Sequence, residues 1–157
     1  MCCKDNPAQD KELEIRVKKR ALHILERMDR TEQELRMKLT QSEYPEEYIE
    51  KAIAYVKSYH YLDDYRYACT YIRYHQDKMS RTQLKMKLLQ KGISRDLLGE
   101  AMEETYEADE CEQIVALLNK RKSKHTGDEQ KDFNRDYQYL LRRGFSSHDI
   151  LKAKQLM

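Results

Sequence analysis

Catalysis needs reactive groups gathered at defined spacings, and this 157-residue chain scatters them. His23, His60, His75, His125 and His148 form no His-x-x-x-His pair. Asp63 and Asp64 are adjacent, yet neighbouring helical residues point in different directions and no further carboxylate cluster lies nearby. Helix capping is therefore the better reading of that pair. Gly-rich phosphate loops and nucleophile elbows are missing. Neither an enzyme nor a bound metal or cofactor is expected. What does recur is cationic: Arg36 and Lys38, then Lys85, Lys87 and Lys91, then Arg142 and Arg143, each group beside leucines at helical spacing. Cations repeated along one surface can follow a phosphate backbone or an acidic protein groove. The plainer reading is that they solubilise helices and pair with local acids.

These cations ride on a repeated element. Thr31-Glu-Gln-Glu-Leu35-Arg-Met-Lys-Leu39 matches Ser80-Arg-Thr-Gln-Leu84-Lys-Met-Lys-Leu88, with both leucine pairs 49 residues apart. Lys91-Gly92-Ile93-Ser94 matches Arg143-Gly144-Phe145-Ser146 at a spacing of 52. A near-constant offset of matched apolar, Gly and Ser positions marks a repeated supersecondary unit. The functional question becomes what a stack of helical units binds. Hydrophobic residues are 39% and charged residues 37%, which suits thin helical units better than one large core. Each unit is too small to bury its apolar face well, so neighbours should pack along a line.

The periodicity gives three groups of three helices. Leu13, Val17, Ala21, Ile24 and Met28 form one helical face. Thr31 with Glu34 is a capping box, Pro45 suits a first helical position, and Ile49, Ala52, Ile53 and Val56 line the next helix. Asp63-Asp64 opens the second unit, Ser80 with Gln83 starts its middle helix, Gly92 ends that helix, and Ser94 caps the third. The third unit has Ile114, Val115, Leu117 and Leu118, a flexible basic loop over 120–128, a helix from Phe133 to Arg143 stopped by Gly144, and a last helix capped by Ser146 or Ser147. The expected organisation is an N-terminal extension over 1–15, possible start of the first helix, then repeats over 16–62, 63–106 and 107–157.

Charge alternates along the chain. Residues 63–92 carry 7 basic and 3 acidic side chains, 93–112 carry 1 and 8, and 113–157 carry 10 and 5. Opposite signs can thus occupy separate faces. Nine tyrosines fall between residues 44 and 74. Interleaved with Arg66 and Arg73, one or two could stack on unpaired bases, although several sit at core spacing. Helix-turn-helix reading of duplex DNA is disfavoured: Glu46, Glu47 and Glu50, and then Asp96, Glu100, Glu103 and Glu104, load the last helices of the first two units with charge that phosphates repel. No apolar run is long enough for a membrane span, and the cysteines (Cys2, Cys3, Cys69 and Cys111) make no C-x-x-C pair, which suits a reduced cytoplasmic protein. Cys69 and Cys111 read as small core residues.

Tyr61-Leu62-Asp63-Asp64-x-Arg66-Tyr67-Ala68 resembles the Y-L-D-D-x-R-F-A signature of the RecX family of recombination regulators. Leu88-x-x-Lys91-Gly92-Ile93-Ser94 and Leu140-Leu141-Arg142-Arg143-Gly144-Phe145-Ser146 add to the resemblance, which covers about residues 18–156. Tyr67 replaces the usual Phe, Glu43 stands where Gly is common, and residues 1–15 have no counterpart. The resemblance implies an all-α fold of three tandem three-helix repeats in an elongated, curved array. It also implies a non-enzymatic, cytoplasmic protein that binds the RecA recombinase filament on single-stranded DNA. There it would inhibit ATPase and strand exchange, affecting DNA repair and the SOS response. A monomer is expected. Two other readings stay open: a general single-stranded nucleic-acid binder, and a helical-repeat scaffold for another protein.

Overall fold

The computed structural model describes residues 6–157, and these are helical almost throughout. Nine α-helices and one short 3-10 turn form among them, with no strand. The first unit comprises α1 (Pro7–Arg27), α2 (Glu32–Gln41) and α3 (Glu46–Ser58). The second comprises α4 (Asp64–His75), α5 (Arg81–Gln90) and α6 (Arg95–Thr105). The third comprises α7 (Glu110–Arg121), a 3-10 turn at Lys122–Lys124, α8 (Glu129–Arg142) and α9 (Ser147–Gln155). In each unit the first and third helices make the main contact and the middle helix packs beside them. The result is an elongated array of three tandem repeats.

Each unit has its own core. Val17, Ala21, Leu35, Leu39, Ile53 and Val56 are buried in the first, with Leu62 closing its edge. Ala68, Ile72, Leu88, Ile93, Ala101 and Met102 fill the second. Ile114, Leu140, Phe145, Ile150 and Ala153 fill the third. Cys69 and Cys111 are free thiols buried in the second and third cores. Cys2 and Cys3 lie outside the described residues.

What joins the units is polar. Thr31, wholly buried, caps α2 by accepting from the Glu34 N–H, and the Glu34 carboxylate accepts from the Thr31 N–H. The same hydroxyl donates to the Lys91 carbonyl at the end of α5, 2.5 Å away. Ser80 repeats the device one unit on, accepting from the Gln83 N–H and donating to the Arg143 carbonyl at the end of α8, 2.6 Å away. A carboxylate of the following unit completes each joint: Asp64 accepts from the Glu32 N–H at 2.9 Å, and Glu110 from the Arg81 N–H at 2.6 Å. The middle helices therefore run head to tail in the order α8, α5, α2. Orphan carbonyls of one helix meet the capped N-terminus of the next, and their dipoles align.

Glycine is required where those ends meet. Gly92 and Gly144 have φ of +89° and +88°. In each case the Gly and the residue after it donate back to the last turn, Gly92 to Leu89 and Ile93 to Leu88, Gly144 to Leu141 and Phe145 to Leu140. The buried Ile93 and Phe145 then cover Leu88 and Leu140, completing a Schellman cap. A Cβ on Gly92 would overlap the Gln33 side chain, and one on Gly144 would lie 2.7 Å from Ser80 Oγ. Glu43 adopts the same left-handed conformation at the end of α2, with φ of +63°. Among the described residues no further unit is stacked on that end, so a side chain is sterically allowed there.

Several boundaries differ from the sequence reading. Asn6 caps α1, which starts at Pro7, so residues 7–15 are its first turns. Pro45 is the N-cap of α3 and not its first helical residue. Residues 120–128 are not a flexible loop: α7 runs through Arg121, and two buried carboxylates on α8 hold the segment between the two helices. Asp132 accepts from Thr126 N–H and Oγ1–H and from Gly127 N–H at 2.9–3.1 Å. Asp136 accepts from Arg121 Nε at 2.7 Å and sits 2.7 Å from His125 Nε2.

Gly92→Ala and Gly144→Ala should each lose at least about 1–2 kcal/mol, the cost of a left-handed Cβ-bearing residue. Glu43→Gly should gain about 0.5–1 kcal/mol, because glycine's extra unfolded-state entropy offsets part of the relief. Urea denaturation of the three variants checks both signs. The Thr126 N–H bond leads the interactions that hold the Asp132 carboxyl below its ordinary pKa. Its stabilisation is therefore present above the unfolded-state value of about 3.9 and lost as pH falls through the lower folded value. Asp132→Asn should lower the melting temperature at pH 7, with the gap to the parent protein closing under acid.

Candidate partner-binding surface

The cations nominated from sequence divide into those committed inside the fold and those left for a partner. Lys91 belongs to a joint: its ammonium is 2.9 Å from Glu34 and lies over the Tyr67 and Tyr71 rings. The Glu34 hydrogen bond holds its pKa above the ordinary lysine value, against the opposing effect of burial. Arg36 pairs with Glu32 at 3.1 Å and with Glu50 on α3. Arg143 stacks on Tyr139 while its carbonyl receives Ser80.

Arg66 is exposed but donates to the carbonyls of His60 (2.9 Å) and Tyr61 (3.4 Å), locking the left-handed turn that ends α3. Most of the Tyr61–Ala68 motif is structural in the same way. Leu62 plugs the first core, Asp63 caps α4 through the Arg66 N–H, Asp64 caps α2, and Ala68 packs in the second core. Burial pushes the Asp64 carboxyl up, only partly offset by the Glu32 N–H. Tyr61 is exposed and stacks against Tyr59.

Lys38, Arg73, Lys85, Lys87 and Arg142 make no ion pair among the described residues. Arg73, Lys85, Lys87 and Arg142 are exposed and Lys38 is half-buried. His75 is held below its ordinary pKa, first by burial and then by the positive charges of Lys78, Lys87 and Lys91, so the end of α4 lies in a cationic field. The structure adds two residues that sequence reasoning passed over. Met37 and Met86 are 54% and 56% exposed, at equivalent positions 49 residues apart, each between two cations. The signal was available: both lie midway between buried leucines, on the outer side of the middle helix. A flexible, polarisable side chain flanked by positive charge suits an apolar and acidic protein surface. Of the nine clustered tyrosines, Tyr59, Tyr61 and Tyr74 are exposed and the others pack against the cores.

Between units two and three lies a groove of about 610 Å³ lined by Lys78, Lys120, Arg121, Lys124, Arg143 and Tyr139, with Asp77 as its one acid. No group of three His, Cys, Asp or Glu side chains among the described residues could hold a metal ion. No described helix is long and apolar enough to cross a membrane.

Comparison with known proteins matches each unit in turn. Residues 18–62, 63–102 and 107–153 match the first, second and third three-helix domains of RecX. The chain belongs to the RecX family. Regulatory protein RecX of Clostridium botulinum (strain Alaska E43 / Type E3) is 32% identical over 146 residues, covering 91% of this chain and 68% of the relative. Its counterpart in Clostridioides difficile (strain 630) is 33% identical, covering 93% and 69%. This chain thus spans about two thirds of the length of those RecX relatives. A crystal structure of RecX from Lactobacillus salivarius superposes with a TM-score of 0.81 at 25% identity, over 92% of this chain and 96% of that one. A second RecX crystal structure shares the fold, with a TM-score of 0.84 at 23% identity, over 99% and 80%.

The joint chemistry can be checked directly. Thr31→Val removes a helix cap, worth about 0.5–2 kcal/mol, and strands the Lys91 carbonyl, at about 1–3 kcal/mol. A loss of about 2–3 kcal/mol is expected by urea denaturation. A loss below 0.5 kcal/mol would show that the joint contributes nothing.

Proposed function

We propose that this chain is a non-enzymatic negative regulator of a RecA-type recombinase. In this reading it binds the recombinase filament on single-stranded DNA and slows its ATPase and strand exchange, with consequences for DNA repair and the SOS response. Membership of the RecX family supports it. The observation that carries it is the recurrence of an unpaired cation after each exposed methionine, half-buried Lys38 after Met37 and exposed Lys87 after Met86, at equivalent positions of joined units. A filament presents the same surface many times, and an array of repeats can touch several subunits at once. Modest contacts spread over several subunits give avidity for polymer over free monomer. The partner-facing set is Lys38, Met37, Arg73, Lys85, Met86, Lys87 and Arg142. Arg36, Arg66, Lys91 and Arg143 are assigned to holding the array together.

A second reading is direct binding of single-stranded DNA without recombinase. The cationic groove at Tyr139 favours it, because an aromatic ring among arginines and lysines suits bases and phosphates together.

The decisive measurement is ATP hydrolysis by a RecA-type recombinase on single-stranded DNA, with and without this protein. The parent chain should inhibit at stoichiometric amounts. Lys85→Glu, Lys87→Glu and Arg142→Glu combined should weaken inhibition at least tenfold with helicity unchanged. Absence of any effect from the parent chain removes the reading, whereas full inhibition by the triple variant removes only the proposed surface.

A further inference from the structure

The first unit carries a pocket that neither the repeat pattern nor the family assignment points to. It measures about 260 Å³ and lies between the C-terminal half of α1 and the end of α2. Arg20, His23, Ile24 and Arg27 line one wall at helical spacings of three, one and three. Lys38, Gln41 and Ser42 line the other, and Arg30 from the connecting segment closes it. None of its lining residues is acidic.

Elsewhere on this unit several cations are paired. Arg36 meets Glu32 and Glu50, Lys57 meets Glu32, and Lys18 and Lys51 meet Glu14. The chain holds 28 acidic residues against 30 basic ones, so acids to pair with are plentiful. Yet Arg20, Arg27, Arg30 and Lys38 converge with no ion pair among the described residues. Arg30 Nε is buried and has no hydrogen-bond acceptor. A buried donor without an acceptor is costly, and guanidinium donors most of all. The carbonyls at the end of α2 do not supply one: Lys38 O accepts from Ser42 N–H and Oγ–H, and Thr40 O from Glu43 N–H.

We propose that this pocket is a phosphate-binding site that takes a phosphodiester group of a nucleic-acid strand. Three arginines and a lysine around a concave floor match a tetrahedral anion with several acceptor oxygens, and guanidinium forks bind such oxygens in pairs. Ile24, which is 7% exposed, supplies an apolar floor against which sugar carbons can rest. Gln41 and Ser42 offer neutral donors at the rim. The site is separate from the partner-facing middle-helix surface except at Lys38. It does not rest on the recombinase reading: a chain that leaves a recombinase untouched would still bind a strand here.

The test uses the intact chain and a fluorescein-labelled oligothymidylate, with no recombinase present. Arg20→Glu with Arg27→Glu changes exposed side chains and should leave helicity and melting temperature unaltered. It should weaken binding at least tenfold and reduce the slope of log affinity against log salt by about 1.4, or about 0.7 per lost phosphate contact on a single strand. Arg30→Gln should also weaken binding, and the Arg30 Nε–H resonance of the parent protein should shift when oligothymidylate is added. Unchanged affinity in both variants overturns the proposal. So does a loss no larger than that of Lys85→Glu with Lys87→Glu, since general charge then explains it. A labelled oligoglutamate that binds the pocket while oligothymidylate does not would identify an acidic peptide and also overturn it. An Arg30 shift with inorganic phosphate alone, and none with oligothymidylate, would overturn the strand as the source of the phosphate.

Discussion

Two hydroxyl groups, on Thr31 and Ser80, hold this molecule in one piece. Each accepts a hydrogen bond from its own helix and donates one to the last carbonyl of the middle helix in the next unit. A helix leaves orphan donors at its start and orphan acceptors at its end. Setting one end against the other satisfies both with a single small side chain. Because the residue at the junction is wholly buried, no water is available to replace the bond, which makes the geometry specific. The glycines after α5 and α8 answer the same constraint, since the approaching helix leaves no room for a Cβ.

The joint explains why three small cores coexist without merging. The apolar clusters draw on residues of one unit each, so burial alone does not say how the units are placed. Direction and spacing come from hydrogen bonds between helix ends, supported by Asp64, Glu110 and the Lys91–Glu34 pair. The middle helices share one file, and whatever they display outward is repeated at intervals set by the joint. Met37 and Met86 with their flanking cations are displayed in this way.

Charge has a similar division of labour. Several cations of the first unit neutralise neighbouring acids, and Glu32, which burial alone would raise, is held below its ordinary pKa by Lys57 and Arg36. Unpaired cations gather on the middle helices, in the groove beside Tyr139 and in the pocket around Arg30. On a surface this rich in both signs, local unpairing carries more information than the net charge of +2.

The amino-acid sequence by itself determined the helices and their grouping. Leucine periodicity, the caps at Thr31, Ser80, Ser94 and Ser146, and the terminating glycines are local effects that depend on residues within one or two turns. It did not separate structural cations from free ones, because an arginine's partner is seldom its sequence neighbour: Arg36 meets Glu50, and Lys91 meets Glu34 across 57 residues. The loop of the third unit escaped the sequence for the same reason. Lys120–Asp128 is polar in composition, and only the buried Asp132 and Asp136, whose i, i+4 spacing interrupts an apolar helix face, turn it into fixed structure. The pocket at Arg30 was likewise decided by tertiary structure, since it exists only where α1 turns back beside α2. Local propensity can be read one helix at a time, whereas pairing and convergence are properties of surfaces brought together by folding.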